Sequence, residues 1–275
     1  MLRTRLWMGA VLIVLTVGML AVDRYAEPWY PFLLVFFLAV AVLGTVELLN
    51  LLNPAFRPFR WLCLAGVLVV ASANWPAHVG AVGDPWNHIL GAFVVVVLAA
   101  FLAEMATFRE PGGSVVRVAL TVWIVAYLAL LPSFLAQLRW TPKGAEALAL
   151  CIFVPKSCDI GAYFTGRSLG RHKMTPVLSP KKTWEGLAGG LLTAALVAFG
   201  INYYCEVLSS PVSALSFGLV VGLAGVLGDL AESLIKRDCL RKDASAVVPG
   251  FGGVLDVIDA VVFAAPVASV WIRWG

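Results

Sequence analysis

The sequence predicts an all-α protein, a polytopic integral membrane bundle of about nine transmembrane helices. Hydrophobic residues make up 61% of its 275 residues, only 13% are charged, and the mean hydropathy is +0.91. A soluble domain of this length would carry about 25% charged residues. Apolar segments of about 20 residues, long enough to cross a bilayer, recur from end to end. We therefore expect a single transmembrane domain over residues 1–275.

The expected spans follow the apolar runs and leave short loops between them. Their expected bounds are Leu6–Val22, Tyr30–Leu52, Phe59–Pro76, Asn87–Phe108, Val115–Leu138, Gly144–Thr165, Trp184–Cys205, Val212–Ile235 and Gly252–Trp271. The third span is short, and Pro155, Lys156 and Asp159 interrupt the sixth. Residues 1–140 are expected to be scaffold helices, whereas residues 150–260 carry the polar motifs.

Loop charge predicts the orientation of these spans. If the N-terminus is cytoplasmic and the helices alternate, 15 of the 20 Lys and Arg residues fall in inner segments and Lys156 falls inside a helix. The outer segments hold only Arg24, Arg139, Lys143 and Arg273. Cytoplasmic loops of membrane proteins carry such an excess of positive charge. We expect a multi-pass protein of the inner cell membrane whose polar motifs face the cytoplasm.

Several other functions have little support in the composition. Arg3, Arg5 and the apolar run after them resemble a signal peptide, but no small-residue cleavage site follows before Asp23, so a retained first helix is expected. The five cysteines lack the spacing of a metal site, and no nucleic-acid-binding module is visible. Glu47 and Glu104, near predicted inner helix ends, are interpreted as loop-facing acids.

The first polar motif runs from Asp159 to Gly190. Glycines that permit close approach of a ligand or a neighbouring helix stand at Gly161, Gly166 and Gly170. The segment Ser179-Pro180-Lys181-Lys182-Thr183 is interpreted as the start of a helix with Glu185 in its first turn. Exposed amides there, with two lysines and a hydroxyl, would form a phosphate cradle. A basic cytoplasmic loop with turn glycines is the alternative.

The second polar motif runs from Gly228 to Asp259. Asp229, Glu232 and Ser233 have the spacing that places side chains on one helix face, and Asp256 and Asp259 share a face of the next helix. The intervening Pro-Gly turn can bring the two helices together. Clustered carboxylate oxygens favour Mg²⁺ or a similar ion.

Basic residues of the same motif are suited to phosphate groups; they are Lys236, Arg237 and Lys242. Simple structural ion pairs between these acids and bases are the alternative interpretation.

Together the motifs resemble the CDP-diacylglycerol synthase (phosphatidate cytidylyltransferase) family. The resemblance covers roughly residues 155–260 and rests on Asp159, Gly161, Ala162, Tyr163, Phe164, the segment from Ser179 to Gly186, Gly228, Asp229, Ser233, Lys236, Arg237, Lys242, Asp243, Pro249, Gly250, Gly252, Gly253, Asp256 and Asp259. Phe251 stands where the family usually has His, and Val257 where it usually has Arg.

The resemblance implies that CTP and phosphatidate react at the cytoplasmic surface to give CDP-diacylglycerol and diphosphate, and it implies a homodimer. As catalytic residues it suggests Asp159, Lys236, Arg237, Lys242 and Asp243. Phosphate binding would fall to Ser179, Lys181, Lys182, Thr183, Ser233, Gly252 and Gly253. A magnesium cofactor would be held by Asp229, Asp256 and Asp259.

Three alternatives remain open on the sequence. A transporter fits the polytopic topology, but many transporters are built from internal repeats and carry their acidic residues near the middle of the membrane. In this sequence the acids are expected at one membrane face, and no internal repeat is evident. A CDP-alcohol phosphotransferase carries aspartates four residues apart, whereas the spacing here is three, as between Asp256 and Asp259. The departures at Phe251 and Val257 leave room for a catalytically altered member of the family.

Overall fold

A computed structural model describes residues 2–80, 82–245, 247–250 and 252–274. Within these residues nine helices are long and apolar enough to cross a membrane, so the predicted all-α multi-pass fold is confirmed. The helices are α1 (Leu2–Asp23), α2 (Pro31–Leu51), α3 (Arg60–Ser72), α4 (Pro85–Thr107), α5 (Ser114–Val125), α6 (Leu131–Leu138), α7 (Gly144–Leu169), α8 (Trp184–Cys205), α9 (Pro211–Asp238) and α10 (Leu255–Trp274). A π-helical stretch, Ala126–Leu130, joins α5 and α6 into one span.

The sixth span is not interrupted, because α7 continues through Pro155 to Leu169. A proline inside a helix removes one backbone hydrogen bond and crowds the preceding turn. Its ring packs on Gly225 of α9, where an added Cβ would lie 2.6 Å from the Cβ of Pro155. Gly225 therefore leaves room for the proline ring where α7 and α9 pack together.

The predicted helix start at Ser179 is wrong. Ser179–Thr183 is strand β2, which pairs antiparallel with β1 (Lys173–Thr175) in a small hairpin. Proline is compatible with the edge of a sheet as well as with a first helical turn, so Pro180 does not decide between them. The helix begins at Trp184, where the Thr183 hydroxyl accepts a hydrogen bond from the Gly186 amide at 3.1 Å.

The described residues form two compact units, Met1–Ser133 with Asp243–Leu255 and Phe134–Lys242 with Asp256–Gly275. The first unit has its own apolar core, whose most deeply buried members include Leu48, Leu49, Val67, Ile89, Ile124 and Leu128. A buried carboxylate, Asp23, accepts hydrogen bonds from the amides of Phe32 and Leu33 at the start of α2. It stays a prediction that residues 1–140 are scaffold helices and that residues 150–260 carry the catalytic motifs.

In the second unit, helices α7 to α10 approach one another at glycines. Gly161 of α7 lies against Thr193 of α8, and an added Cβ would overlap the threonine side chain. Gly228 of α9 lies in the same way against the backbone of Asp259 in α10. Small residues let helix backbones pack closely in membranes, where no hydrophobic effect drives helices together. This packing brings polar side chains of α7, α9 and α10 within reach of one another.

Candidate active site

Carboxylates from three helices of the second unit converge on a few lysines. We call this group the acidic cluster; its carboxylates are Asp159, Asp229, Glu232, Asp256 and Asp259, and its lysines are Lys156, Lys182 and Lys236. With five carboxylates and three lysines, the cluster carries two formal negative charges in excess. Ion pairing among these side chains therefore leaves two carboxylates over, and a bound cation is one way to compensate them.

Helices α7 and α10 meet in the cluster through Lys156. Its Nζ lies 2.9 Å from Oδ1 of Asp259 and 3.7 Å from Oδ2 of Asp159. Asp159 and Lys156 are three residues apart on α7 and therefore share a helix face. The polar residues that seem to interrupt this span in the sequence form one side of the cluster.

Helix α9 contributes Asp229 and Glu232 on one face, as the sequence predicts. The hairpin reaches this face, because Lys182 of β2 lies 2.7 Å from Oδ2 of Asp229. One turn further on, Lys236 pairs with Glu232 at 2.5 Å and with Asp256 of α10 at 2.6 Å. Ser233 lies on the same face, with its Oγ 3.4 Å from Oδ1 of Asp229.

Three of these carboxylates form a set of oxygen donors that fits a metal ion. One oxygen each from Asp229, Glu232 and Asp259 lies within 4.8 Å of the others. Mg²⁺ binds such oxygens at about 2.0–2.1 Å in octahedral geometry, so modest side-chain movements would bring all three onto one ion. Asp229 and Asp259 belong to the predicted ligand set, whereas Asp256 lies beside Lys236.

Glu232 is the donor that the sequence prediction did not select. It is only 2% exposed, and its spacing of three residues from Asp229 is the signal that identifies it. Lys156 was also not selected as a site residue, although its place in an apolar helix is a signal of the same kind.

The other predicted basic residues lie at the exposed edge of the second unit. Arg237 follows Lys236, and its Nε lies 3.5 Å from the carbonyl oxygen of Leu178 in the hairpin. Lys181 and Lys242 are exposed. Neighbouring strand residues point to opposite faces, so Lys181 points away from the side on which Lys182 meets Asp229.

The two hydroxyl residues of β2 have separate positions. Thr183 is buried as the cap of α8, whereas Ser179 is half-buried and pairs across the hairpin with Thr175. The hairpin therefore does not form the helix-start cradle expected for these residues.

Three predicted site residues belong to the first unit. Asp243 is exposed, and Gly252 pairs with Val248 in an isolated β-bridge in which its amide donates to the Val248 carbonyl at 3.0 Å. The φ of +115° at Gly252 lies in a region that favours glycine. Gly253 lies against the carboxylate of Glu47. Phe251 lies outside the described residues.

Cysteine chemistry plays no visible part in the described cluster. The five cysteines are free, and three of them are buried. Desolvation raises the pKa of the Cys239 thiol, and the negative charge of neighbouring Asp238 raises it further. This thiol is therefore protonated at neutral pH and is a poor nucleophile.

Comparison with known proteins identifies the family to which this chain belongs. A phosphatidate cytidylyltransferase of Staphylococcus aureus (strain COL) is 29% identical over 238 residues, which cover 86% of this chain and 88% of that protein. One of Staphylococcus epidermidis (strain ATCC 12228 / FDA PCI 1200) is 27% identical over 238 residues, with the same coverage of 86% and 88%. The uncharacterized protein YnbB of Escherichia coli (strain K12) is 32% identical over 291 residues, covering 99% of this chain and 87% of that protein.

The agreement extends well beyond the two polar motifs. A sequence model of the cytidylyltransferase family matches residues 3–274, which include the apolar first half as well as the motifs. The chain therefore belongs to the cytidylyltransferase family, and it is a multi-pass membrane nucleotidyltransferase.

Proposed function

We propose that this protein is a phosphatidate cytidylyltransferase, which converts CTP and phosphatidate into CDP-diacylglycerol and diphosphate for phospholipid synthesis. The observation that carries the proposal is the acidic cluster, in which Asp229, Glu232 and Asp259 offer oxygens within 4.8 Å of one another and three lysines stand beside them. Relatives named phosphatidate cytidylyltransferase support the choice of acceptor. Family membership also favours a transferase over the transporter considered above.

The reaction asks for positioning and charge compensation more than for acid–base chemistry. A phosphate oxygen of phosphatidate attacks the α-phosphorus of CTP, and the bond from that phosphorus to the bridging oxygen of the β-phosphate breaks. The electron pair leaves with diphosphate. A phosphate monoester is already a competent anionic nucleophile at neutral pH, so no strong base is required. The protein must hold two highly charged reactants together.

Magnesium is the cofactor that we propose for this site. Asp229, Glu232 and Asp259 would hold the ion, with Asp256 as a neighbouring acceptor. When bound, Mg²⁺ supplies positive charge that offsets the triphosphate and the departing diphosphate.

The lysines of the cluster are proposed to bind phosphate groups and to hold the carboxylates in place. Lys182 and Lys236 each have an ammonium group fixed by a carboxylate of the cluster, from which they bind phosphate oxygens by charge-assisted hydrogen bonds. Lys156 holds Asp159 and Asp259 in place. Arg237, Lys181 and Lys242 add positive charge on the approach to the site.

We further propose that the site opens on the cytoplasmic side of the inner membrane, because CTP is available in the cytoplasm. The excess of positive charge in the expected inner loops supports this orientation. The homodimer is a separate prediction, which rests on the family resemblance alone. The tip of the hairpin offers a direct test, because Val177 is 93% exposed. A cysteine placed there in a cysteine-free variant should react with a membrane-impermeant maleimide in inside-out vesicles but not in intact cells. The opposite pattern would refute the orientation.

The central experiment is a cytidylyl-transfer assay on purified protein with CTP labelled at the α-phosphate, phosphatidate and MgCl₂. We expect labelled CDP-diacylglycerol and one diphosphate per product, with turnover abolished by EDTA. Asp259→Asn should lower turnover by about 100-fold or more, because it removes a charged ligand. Asp238→Asn, at the exposed end of α9, is the matched control and should remain active. A folded wild-type protein that makes no lipid product would overturn the proposal.

A further inference from the structure

A carboxylate outside the acidic cluster is engaged by the motif loop that precedes α10. Glu47 lies in α2 and is 5% exposed. Its Oε1 accepts hydrogen bonds from the Ser245 hydroxyl at 2.6 Å and from the Val254 amide at 2.9 Å, and its Oε2 accepts one from the Leu255 amide at 2.9 Å. Three donors, two from the loop and one from the first residue of α10, thus converge on a single side chain.

The same carboxylate accounts for one glycine of the motif. An added Cβ at Gly253 would lie 2.5 Å from Oε2 of Glu47 and 2.9 Å from its Cδ. A side chain at this position would displace the carboxylate from the Val254 and Leu255 amides. Gly253 was expected to bind phosphate, and its contact with Glu47 supplies a different reason for glycine.

We infer that Glu47 is a positioning residue for the reaction, and this inference rests on the proposed function. Leu255 is the first residue of α10, and amides at a helix start have no partner within the helix. A buried carboxylate that accepts hydrogen bonds from two consecutive amides holds the backbone at residues 254 and 255 in place, because hydrogen bonds to a charged acceptor are stronger than neutral ones. Asp256 is the next residue, and Asp259 follows one turn later on the same helix.

The consequence for catalysis follows from covalent continuity along α10. A change in the backbone at residues 254 and 255 shifts the start of the helix that carries Asp256 and Asp259. Misplacement of a reacting group by about 1 Å can cost about 100-fold in rate. Glu47 therefore acts on turnover through the loop that it holds, without contact to substrate.

Glu104 provides a matched comparison within the same unit. It is 6% exposed, in an apolar helix, and was expected to play the same loop-facing role as Glu47. Its oxygens instead accept hydrogen bonds from Arg117 at 2.8 Å and 2.7 Å. Glu104 is thus a buried acid of similar exposure, but its partner is Arg117 of α5 and not the loop before α10. Replacing Glu104 therefore measures how the loss of a buried carboxylate affects stability alone.

The test compares Glu47→Gln, Glu47→Ala and Glu104→Gln by kinetics, thermal unfolding and amide hydrogen exchange of the segment from 247 to 258. Glutamine keeps one oxygen for Ser245 and Val254, but its NH₂ group cannot accept from Leu255. We expect faster exchange at Leu255 in Glu47→Gln, a fall in kcat of about tenfold or more, and a KM for CTP within about twofold. Glu104→Gln should lower the unfolding temperature while leaving kcat and this exchange unchanged.

The outcomes separate the inference from the proposed function. Wild-type kcat in folded Glu47→Gln and Glu47→Ala proteins, or unchanged exchange at Leu255, would overturn the positioning role while leaving the activity intact. A fall in kcat equal to that in Glu104→Gln would also overturn it. A wild-type protein without cytidylyl transfer would refute the proposed function, and the exchange data would still decide whether Glu47 holds the start of α10.

Discussion

The Nζ of Lys156 in α7 lies 2.9 Å from Oδ1 of Asp259 in α10, and 103 positions of sequence separate the two residues. Charged groups within membrane spans are costly unless they are paired or face a polar cavity. The ion pair therefore links two membrane helices of the second unit at the point where the proposed metal ligands meet.

Replacing Lys156 by methionine should weaken both the fold and the reaction. The change leaves Asp259 and Asp159 without their shared cation, and an unpaired buried charge costs about 1–3 kcal/mol or more. We expect a lower unfolding temperature in detergent and a large loss of CTP turnover. Lys143→Met is the control, because its ion pair with Glu206 is exposed and spans 4.0 Å, and its hydrogen bonds to the Cys205 and Glu206 carbonyls lie at the end of α8, outside the cluster. Equal effects of the two variants would contradict the importance of the Lys156 pair.

Replacing Glu232 by glutamine tests the oxygen donor that the predicted ligand set did not include. The loss of one charged oxygen should raise the Mg²⁺ concentration for half-maximal turnover by about 10- to 100-fold. Metal binding measured by calorimetry should weaken in parallel. Glu206→Gln, which changes an exposed acid of the same unit, should leave the magnesium dependence unaltered. A wild-type magnesium curve for Glu232→Gln would remove this residue from the ligand set.

Alanine at Gly228 should push α9 and α10 apart. The added Cβ would overlap the carbonyl oxygen of Asp259, which is backbone and cannot move independently. Overpacking of this kind costs about 1–3 kcal/mol, so thermal unfolding should occur at a lower temperature. Gly200 has no atom within 4 Å of the corresponding Cβ position, and Gly200→Ala in α8 should be neutral or slightly stabilising. A Gly228→Ala protein as stable as wild type would contradict the close packing.

The departures at positions 251 and 257 test whether catalysis is altered in this chain. Phe251→His with Val257→Arg restores the usual family residues and adds polar groups suited to phosphate. We expect cytidylyl transfer by the double variant to equal or exceed that of wild type in the assay described above. An inactive wild type rescued by the double change would identify a catalytically altered family member, whereas loss of activity would show that the phosphate contacts are arranged differently here.

Helical periodicity explains which parts of the site could be predicted. Asp229, Glu232 and Ser233 share a face because residues three and four apart always do on a helix. The long apolar runs likewise predict the spans, since only helices or closed barrels satisfy their backbone in lipid. These features depend on residues that are close in the sequence.

The errors come from local ambiguity and from distant contacts. Pro180 fits both a first helical turn and a strand edge, so the segment that contains Lys181 and Lys182 gave no local sign of its extended conformation. Glu47 and Leu255 are 208 positions apart, and no spacing rule connects them. Lys156 resembled an interruption of its span because Asp259, its partner, lies on a different helix.

The short-range pair within α7 bears on how the chain is made. Ribosomes deliver α7 to the insertion machinery long before α10, since Lys156 precedes Asp259 by 103 positions. Asp159, one turn away and 3.7 Å from the ammonium group, is available as soon as α7 forms. We expect this nearer partner to lower the cost of placing the lysine in lipid before α10 is present, after which the pair with Asp259 completes the network.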